Sequence, residues 1–161
     1  MIGIFYGSTT GNTEAVANDI AAALGVVATD VHNVGATGAD AVKHYDTLIF
    51  GSSTWGYGDL QDDWFDFLDD LKAQDLAGKR IAFFGCGDSD SYPDTFCAAI
   101  SVIHDTLADS GATFVGRIEA TGGGMDSPTC RDGQFLGLTV DDADDSVKET
   151  RMAAWLEAIK A

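Results

Sequence analysis

The run Met1-Ile2-Gly3-Ile4-Phe5-Tyr6-Gly7-Ser8-Thr9-Thr10-Gly11-Asn12-Thr13-Glu14 decides the fold. Its first part, Ile2 to Tyr6, is an apolar stretch of strand length. A turn of hydroxyls, small residues and backbone N–H groups follows, after which Val16, Ile20 and Leu24 recur on one helical face. Strand, tight turn and helix together form the unit from which parallel sheets are wound. The turn suits an anion, because the amides of a helix's first turn and its positive dipole end hold a phosphate without a cation. Ser and Thr hydroxyls add further hydrogen bonds. No Lys or Arg precedes Lys43, so the turn is neither the nucleoside-triphosphate loop G-x-x-x-x-G-K-[ST] nor G-x-G-x-x-G. A plain helix cap has the same composition.

Further along the chain, strands are expected at Val26 to Val31, Thr47 to Gly51, Arg80 to Gly85 and Thr113 to Arg117. Helical faces recur at Leu60, Trp64, Leu68 and Leu71, at Phe96, Ile100, Ile103 and Leu107, and at Met152, Trp155, Leu156 and Ile159. The reading is an α/β, doubly wound, five-stranded parallel sheet with helices on both faces. Ala120 to Gln134, rich in glycine and polar residues, reads as an insertion splitting the fifth strand, which resumes at Phe135 to Val140. With only Pro93 and Pro128 and no linker or repeat, residues 1–161 are expected to form one domain.

The chain has 26 acidic against 9 basic side chains, a net charge of −17. Such a surface repels phosphodiester backbones and anionic headgroups, which excludes nucleic acid and membrane as partners and favours basic protein surfaces. Cys86, Cys97 and Cys130 form no CxxC pair, which suits a reducing, cytoplasmic setting. The longest apolar run, Ile20 to Ala28, is too short to span a bilayer.

In an open α/β sheet, ligands sit beyond the carboxyl ends of the strands where the winding reverses. After strand three, Ser52-Ser53-Thr54-Trp55-Gly56-Tyr57-Gly58-Asp59 puts aromatics among small residues. Trp55 there either stacks on a flat partner or covers the core at the sheet's edge. After strand four, Gly85-Cys86-Gly87-Asp88-Ser89-Asp90-Ser91-Tyr92-Pro93 supplies a second ring, Tyr92, which either closes the other face of that ligand or is an ordinary exposed loop tyrosine. Three unusual loops on one edge point to a phosphorylated, planar heterocycle.

These residues resemble the flavodoxin family, with a match running through the whole chain. Ser8-x-Thr10-Gly11-Asn12-Thr13 is similar to the family's [ST]-x-T-G-x-T phosphate loop. Thr54-Trp55-Gly56 with Asp59-Leu60-Gln61-x-Asp63-Trp64 is similar to its flavin loop, and Gly87-Asp88 with Tyr92 to the loop after strand four. The split fifth strand resembles the long-chain subgroup. The resemblance implies strand order 2-1-3-4-5 and a low-potential carrier that binds FMN non-covalently and shuttles single electrons between semiquinone and hydroquinone for redox enzymes.

It further implies that Ser8, Thr9, Thr10, Gly11, Asn12 and Thr13 hold the phosphate with help from Thr54. Trp55 and Tyr92 would sandwich the isoalloxazine, with Ser53, Gly56, Tyr57 and Gly58 completing the flavin loop. Backbone groups of Cys86, Gly87 and Asp88 would meet the pyrimidine edge. The implied partners are basic-surfaced flavodoxin reductases and low-potential acceptors, met by a monomer. The Gly56–Tyr57 carbonyl is expected to turn toward the flavin N5, a rotation that glycine permits. Each carboxylate about 10 Å from an anionic flavin would oppose the second electron by roughly 1.7 kcal/mol at an effective dielectric of about 20.

Two rival readings fit less well. An NAD(P)H-dependent quinone or flavin reductase on the same fold would need a second pocket, for which the scattered His32, His44 and His104 offer no cluster. A phosphate-receiver signalling module would carry acids after strand one and an Asp ending strand three, where Tyr6-Gly7-Ser8 and Phe50-Gly51-Ser52 stand. The acidic faces Asp62 to Asp70 and Asp141 to Asp145 are either docking surfaces or solvated faces, and the latter also reads as a polar start to the last helix.

Overall fold

The computed structural model describes residues 1–7, 11–55, 59–120, 123–141, 146 and 148–160. Its main strands are β1 (Ile2–Gly7), β2 (Val31–Asn33), β3 (Thr47–Trp55), β5 (Arg80–Gly87) and β10 (Leu138–Asp141), with the short β4 (Asp59–Leu60) and β6 (Thr113–Phe114) beside them. The sheet runs β10-β5-β3-β1-β2, while β4 turns back antiparallel on β3 and β6 pairs in parallel with β5. In space this is the order 2-1-3-4-5, with the fifth position filled twice. β6 lies beside Arg80 and Ile81 at the start of β5, and β10 beside Phe84 to Gly87 at its end.

Helices α1 (Asn12–Leu24), α2 (Asp63–Leu71), α3 (Ala98–Thr106) and α4 (Lys148–Lys160) cover the sheet. Phe5, Phe50 and Phe83 are register neighbours on one face. There Phe5 meets Phe67 and Phe50 meets Trp64, both of α2, and Phe83 meets His104 of α3. Arg80 lies on the opposite pleat and donates to the Ile159 carbonyl of α4 at 2.6 Å, so helices flank both faces. The fully buried Ile4, Ile49 and Ala82 fill that second face.

Two expectations move. The second strand lies at Val31–Asn33 rather than Val26 to Val31; Val26 donates to the Ala21 carbonyl at the end of α1, Val27 is exposed, and a 3-10 turn occupies Ala28–Asp30. The strand then carries His32, whose ring stacks on Phe5 at 4.8 Å, so a polar residue does the work of an apolar one. The fifth strand is split as expected, but it resumes at Leu138, not Phe135. The interruption holds its own antiparallel sheet of β7 (Ile118–Glu119), β8 (Cys130–Arg131) and β9 (Gln134–Phe135), in which Phe135 pairs with Ile118 and Cys130.

Candidate functional site

Parallel pairing brings the carboxyl ends of four strands into one row: Gly7 beside Ser52, Ser53 beside Cys86, and Gly87 beside Asp141. The loops that the sequence singled out all leave from this row. At its centre, α1 begins with Gly11 at the N-cap, in the left-handed region at φ 92° where glycine has no steric penalty. Glycine brings no side chain to the first turn, and a Cβ there would meet only open space. The helix thus presents the positive end of its dipole at the sheet's edge.

The buried hydroxyls of Thr13 and Ser53 are 2.6 Å apart, tying the first turn of α1 to the end of β3. Ser52 donates to the Ser53 carbonyl and accepts from the Gln61 amide, while Trp64 Nε1 donates to the Gly51 carbonyl at 2.7 Å. Thr54 Oγ1 accepts the Ala99 amide at 3.1 Å, capping α3 from across the sheet. Tyr6, buried beneath this edge, has its phenol pushed up first by burial and then by Glu14.

The loop after β5 is built by its own first residues. The Asp88 carboxylate accepts the amides of Asp90 and Ser91, each at 3.0 Å, and its carbonyl accepts the Tyr92 amide at 2.9 Å. Those amides hold the Asp88 carboxyl below the usual carboxylate range. Tyr92 emerges from this turn with half of its surface exposed. Cys86 is buried. No disulfide joins the cysteines.

Of the residues expected at the site, Gly11, Asn12, Thr13, Ser53, Thr54, Cys86, Gly87, Asp88 and Tyr92 lie on this edge. Trp55 is described by its backbone, which pairs with Asp59 at the end of β3. Ser8, Thr9, Thr10, Gly56, Tyr57 and Gly58 lie outside the described residues, as does the peptide turn expected at Gly56–Tyr57.

The sequence places Asp141 at the head of an acidic run expected on the surface, of which residues 142–145 lie outside the described residues. Asp141 is instead buried at the end of β10 and accepts the backbone N–H of Ser89 at 3.1 Å and the Ser89 hydroxyl. Its signal was positional: Leu138-Thr139-Val140-Asp141 ends the fifth strand at the edge where ligand loops gather.

An open, doubly wound parallel sheet with a helix N-terminus and three flanking loops at its carboxyl edge defines the class of α/β proteins that bind nucleotides at a topological switch point. The comparisons narrow the class. The family model described as Flavodoxin matches residues 4–155. Flavodoxin 1 of Salmonella typhimurium is 38% identical, covering 99% of this chain and 92% of its own, and the flavodoxin of Haemophilus influenzae is 36% identical over 99% and 93%. Among solved structures, Fusobacterium nucleatum flavodoxin bound to flavin mononucleotide superposes with a TM-score of 0.86 at 25% identity, covering 99% of this chain and 96% of that one. Oxidised flavodoxin 1 of Bacillus cereus gives a TM-score of 0.74 at 29% identity over 99% and 97%. The chain belongs to the flavodoxin family.

Proposed function

We propose that this chain is a one-electron carrier that binds FMN non-covalently at the carboxyl edge of its sheet, an electron-transfer protein rather than an enzyme. The observation that carries the reading is the row of strand ends from Gly7 to Asp141, with the first turn of α1 at its centre. The donor set fits a phosphate. In the Thr13–Ser53 pair one hydroxyl donates to the other, leaving the second proton to give to an anion, and Thr54, already accepting from Ala99, has its own proton to give. Residues Ser8 to Thr13 with Thr54 would hold the phosphate.

Trp55 and Tyr92 would flank the ring, with Ser53, Gly56, Tyr57 and Gly58 completing the loop beside it. Backbone groups of Cys86, Gly87 and Asp88 would meet the pyrimidine edge. FMN supplies the one-electron chemistry, and the chain supplies binding, exclusion of water and the surrounding field. That field is negative, since the whole chain stands at −17. It opposes placing a second electron on the flavin and makes the reduced protein a strong donor.

Flavodoxins act with redox partners. The finer reading is that residues 1–161 form one domain acting as a cytoplasmic monomer on basic-surfaced reductases and low-potential acceptors. Asp62, Asp63, Asp66, Asp69 and Asp70 supply it with an exposed face on and beside α2. Among the described residues no helix is long and apolar enough to cross a membrane.

Titrating the protein, stripped of any flavin, with FMN tests the reading. Flavin fluorescence should be quenched at one equivalent, and stepwise reduction of the complex should pass through a blue form before bleaching. Unquenched FMN overturns the proposal, and rapid NAD(P)H oxidation in the presence of a quinone would assign a reductase instead.

A further inference from the structure

The loop after β5 is held at two levels. Within the loop, Asp88 gathers the amides of Asp90, Ser91 and Tyr92 into one turn. Between the loop and the sheet stands Asp141, only 3% exposed, at the last position of β10 and directly beside Gly87 in the register. Burying a carboxylate is costly unless donors replace its water. Ser89 supplies two of them, its backbone N–H at 3.1 Å to Oδ1 and its hydroxyl to Oδ2. Bonds to a charged acceptor are roughly twice as strong as neutral ones. Ser89 is also enclosed on the side of the insertion, where a Cβ built at Gly123 would lie 2.7 Å from its hydroxyl oxygen.

We propose that Asp141 is a positioning residue for the flavin: by accepting both donors of Ser89 it anchors the turn 88–92 to the end of the sheet and so fixes where Tyr92 and the backbone at the pyrimidine edge stand. The inference deepens the proposed function and rests on its assignment of this loop to the ring of FMN. The role is mechanical. Asp141 acts through Ser89 and the turn behind it, over a separation of 52 residues in the chain. A neutral amide at position 141 keeps an acceptor for the Ser89 N–H and therefore most of the anchor.

The test compares Asp141→Ala, Asp141→Asn and Ser89→Ala with the parent chain, using dissociation constants for FMN and for riboflavin, which lacks the phosphate. Asp141→Ala should weaken both ligands by the same factor, about tenfold or more for the loss of two hydrogen bonds to a charged acceptor. Asp141→Asn should restore most of that loss, and Ser89→Ala should fall between. Thr13→Val, at the phosphate end, should weaken FMN far more than riboflavin.

In the flavin-free protein, amide exchange at Ser89 should quicken about tenfold in Asp141→Ala and much less in Asp141→Asn. Parent-like binding of both ligands by a folded Asp141→Ala protein overturns the inference, as does an Asp141→Asn protein as weak as Asp141→Ala. Should Asp141→Ala fail to fold, Ser89→Ala decides on the same scale, and parent-like binding there also overturns it. If the parent chain binds neither flavin, the proposed function has failed, and the exchange measurement still shows separately whether Asp141 anchors the turn.

Discussion

Thr13 Oγ1 and Ser53 Oγ meet at 2.6 Å in a buried seam between the first turn of α1 and the end of β3. This contact joins a helix start and a strand end that the chain separates by 40 residues. Replacing Thr13 by Val keeps the shape and leaves the Ser53 hydroxyl buried without this partner, a loss of about 1–3 kcal/mol. Urea unfolding of the flavin-free protein should show a lowered midpoint at unchanged slope. The double variant Thr13→Val/Ser53→Ala should recover part of the loss, because no orphaned hydroxyl remains.

At Gly51 the sheet has no room for a side chain. A Cβ there would land on the ring of fully buried Phe84, and the Gly51 carbonyl is held by Trp64 Nε1. Gly51→Ala should therefore destabilise by about 1–3 kcal/mol through overpacking. Thermal unfolding followed by circular dichroism checks this, and Phe84→Leu added to Gly51→Ala should raise the midpoint again.

Asp30, Tyr45 and His32 form a hydrogen-bonded chain: Tyr45 donates to Asp30 at 2.9 Å, and its oxygen lies 2.7 Å from His32 Nε2. Burial pushes His32 below its ordinary value, outweighing the opposing pull of Asp30. The unfolded chain then takes up this proton more readily than the folded one. The resulting stability is fully present above about pH 6.5 and declines as the pH falls through the folded value. Tyr45, pushed up to about 12 chiefly by burial, gives the opposite limb: its contribution is present below pH 10 and is lost as the pH rises toward 12. Urea midpoints measured across pH for His32→Gln and Tyr45→Phe should each lose one of these two slopes relative to the parent.

Arg131 of the inserted sheet grips Asp105 in the last turn of α3 with two bonds of 2.8 Å. The guanidinium is the main reason that the Asp105 carboxyl is held down to about 2. This stabilisation is present above about pH 4 and is lost as the pH falls toward 2. Because Asp105 is half exposed, the effect on global stability should be slight and the local effect larger. Arg131→Gln should leave the unfolding midpoint nearly unchanged at pH 7 while speeding proteolysis between residues 115 and 137; equal cleavage rates would contradict this.

Much of the fold was legible because β1, β3 and β5 are central parallel strands buried on both faces, and such strands spell themselves as apolar runs such as Ile2 to Tyr6 and Ile81 to Phe84. The edge hid more. β2 has three residues, and His32 and Asn33 break the apolar signal because stacking on Phe5 and polar contacts replace hydrophobic burial. The strands of the insertion have two residues each, too few for any period to register. At the site, the turn after β1 stood out through its composition. Asp141 did not, because an acid at the head of an acidic run reads as a solvated one until pairing with β5 shows that it ends a buried strand.

The divided fifth strand bears on biosynthesis. Until Leu138 to Asp141 leave the ribosome, the outer flank of β5 is matched only at Arg80 and Ile81, and Ser89 has no carboxylate to hold. The nascent chain can wind most of its sheet early, but the rim closes only after Leu138 to Asp141 have been made. Loading with its prosthetic group is thereby deferred until β10 is in place, and a product terminated before Leu138 is left with an open, unlatched margin.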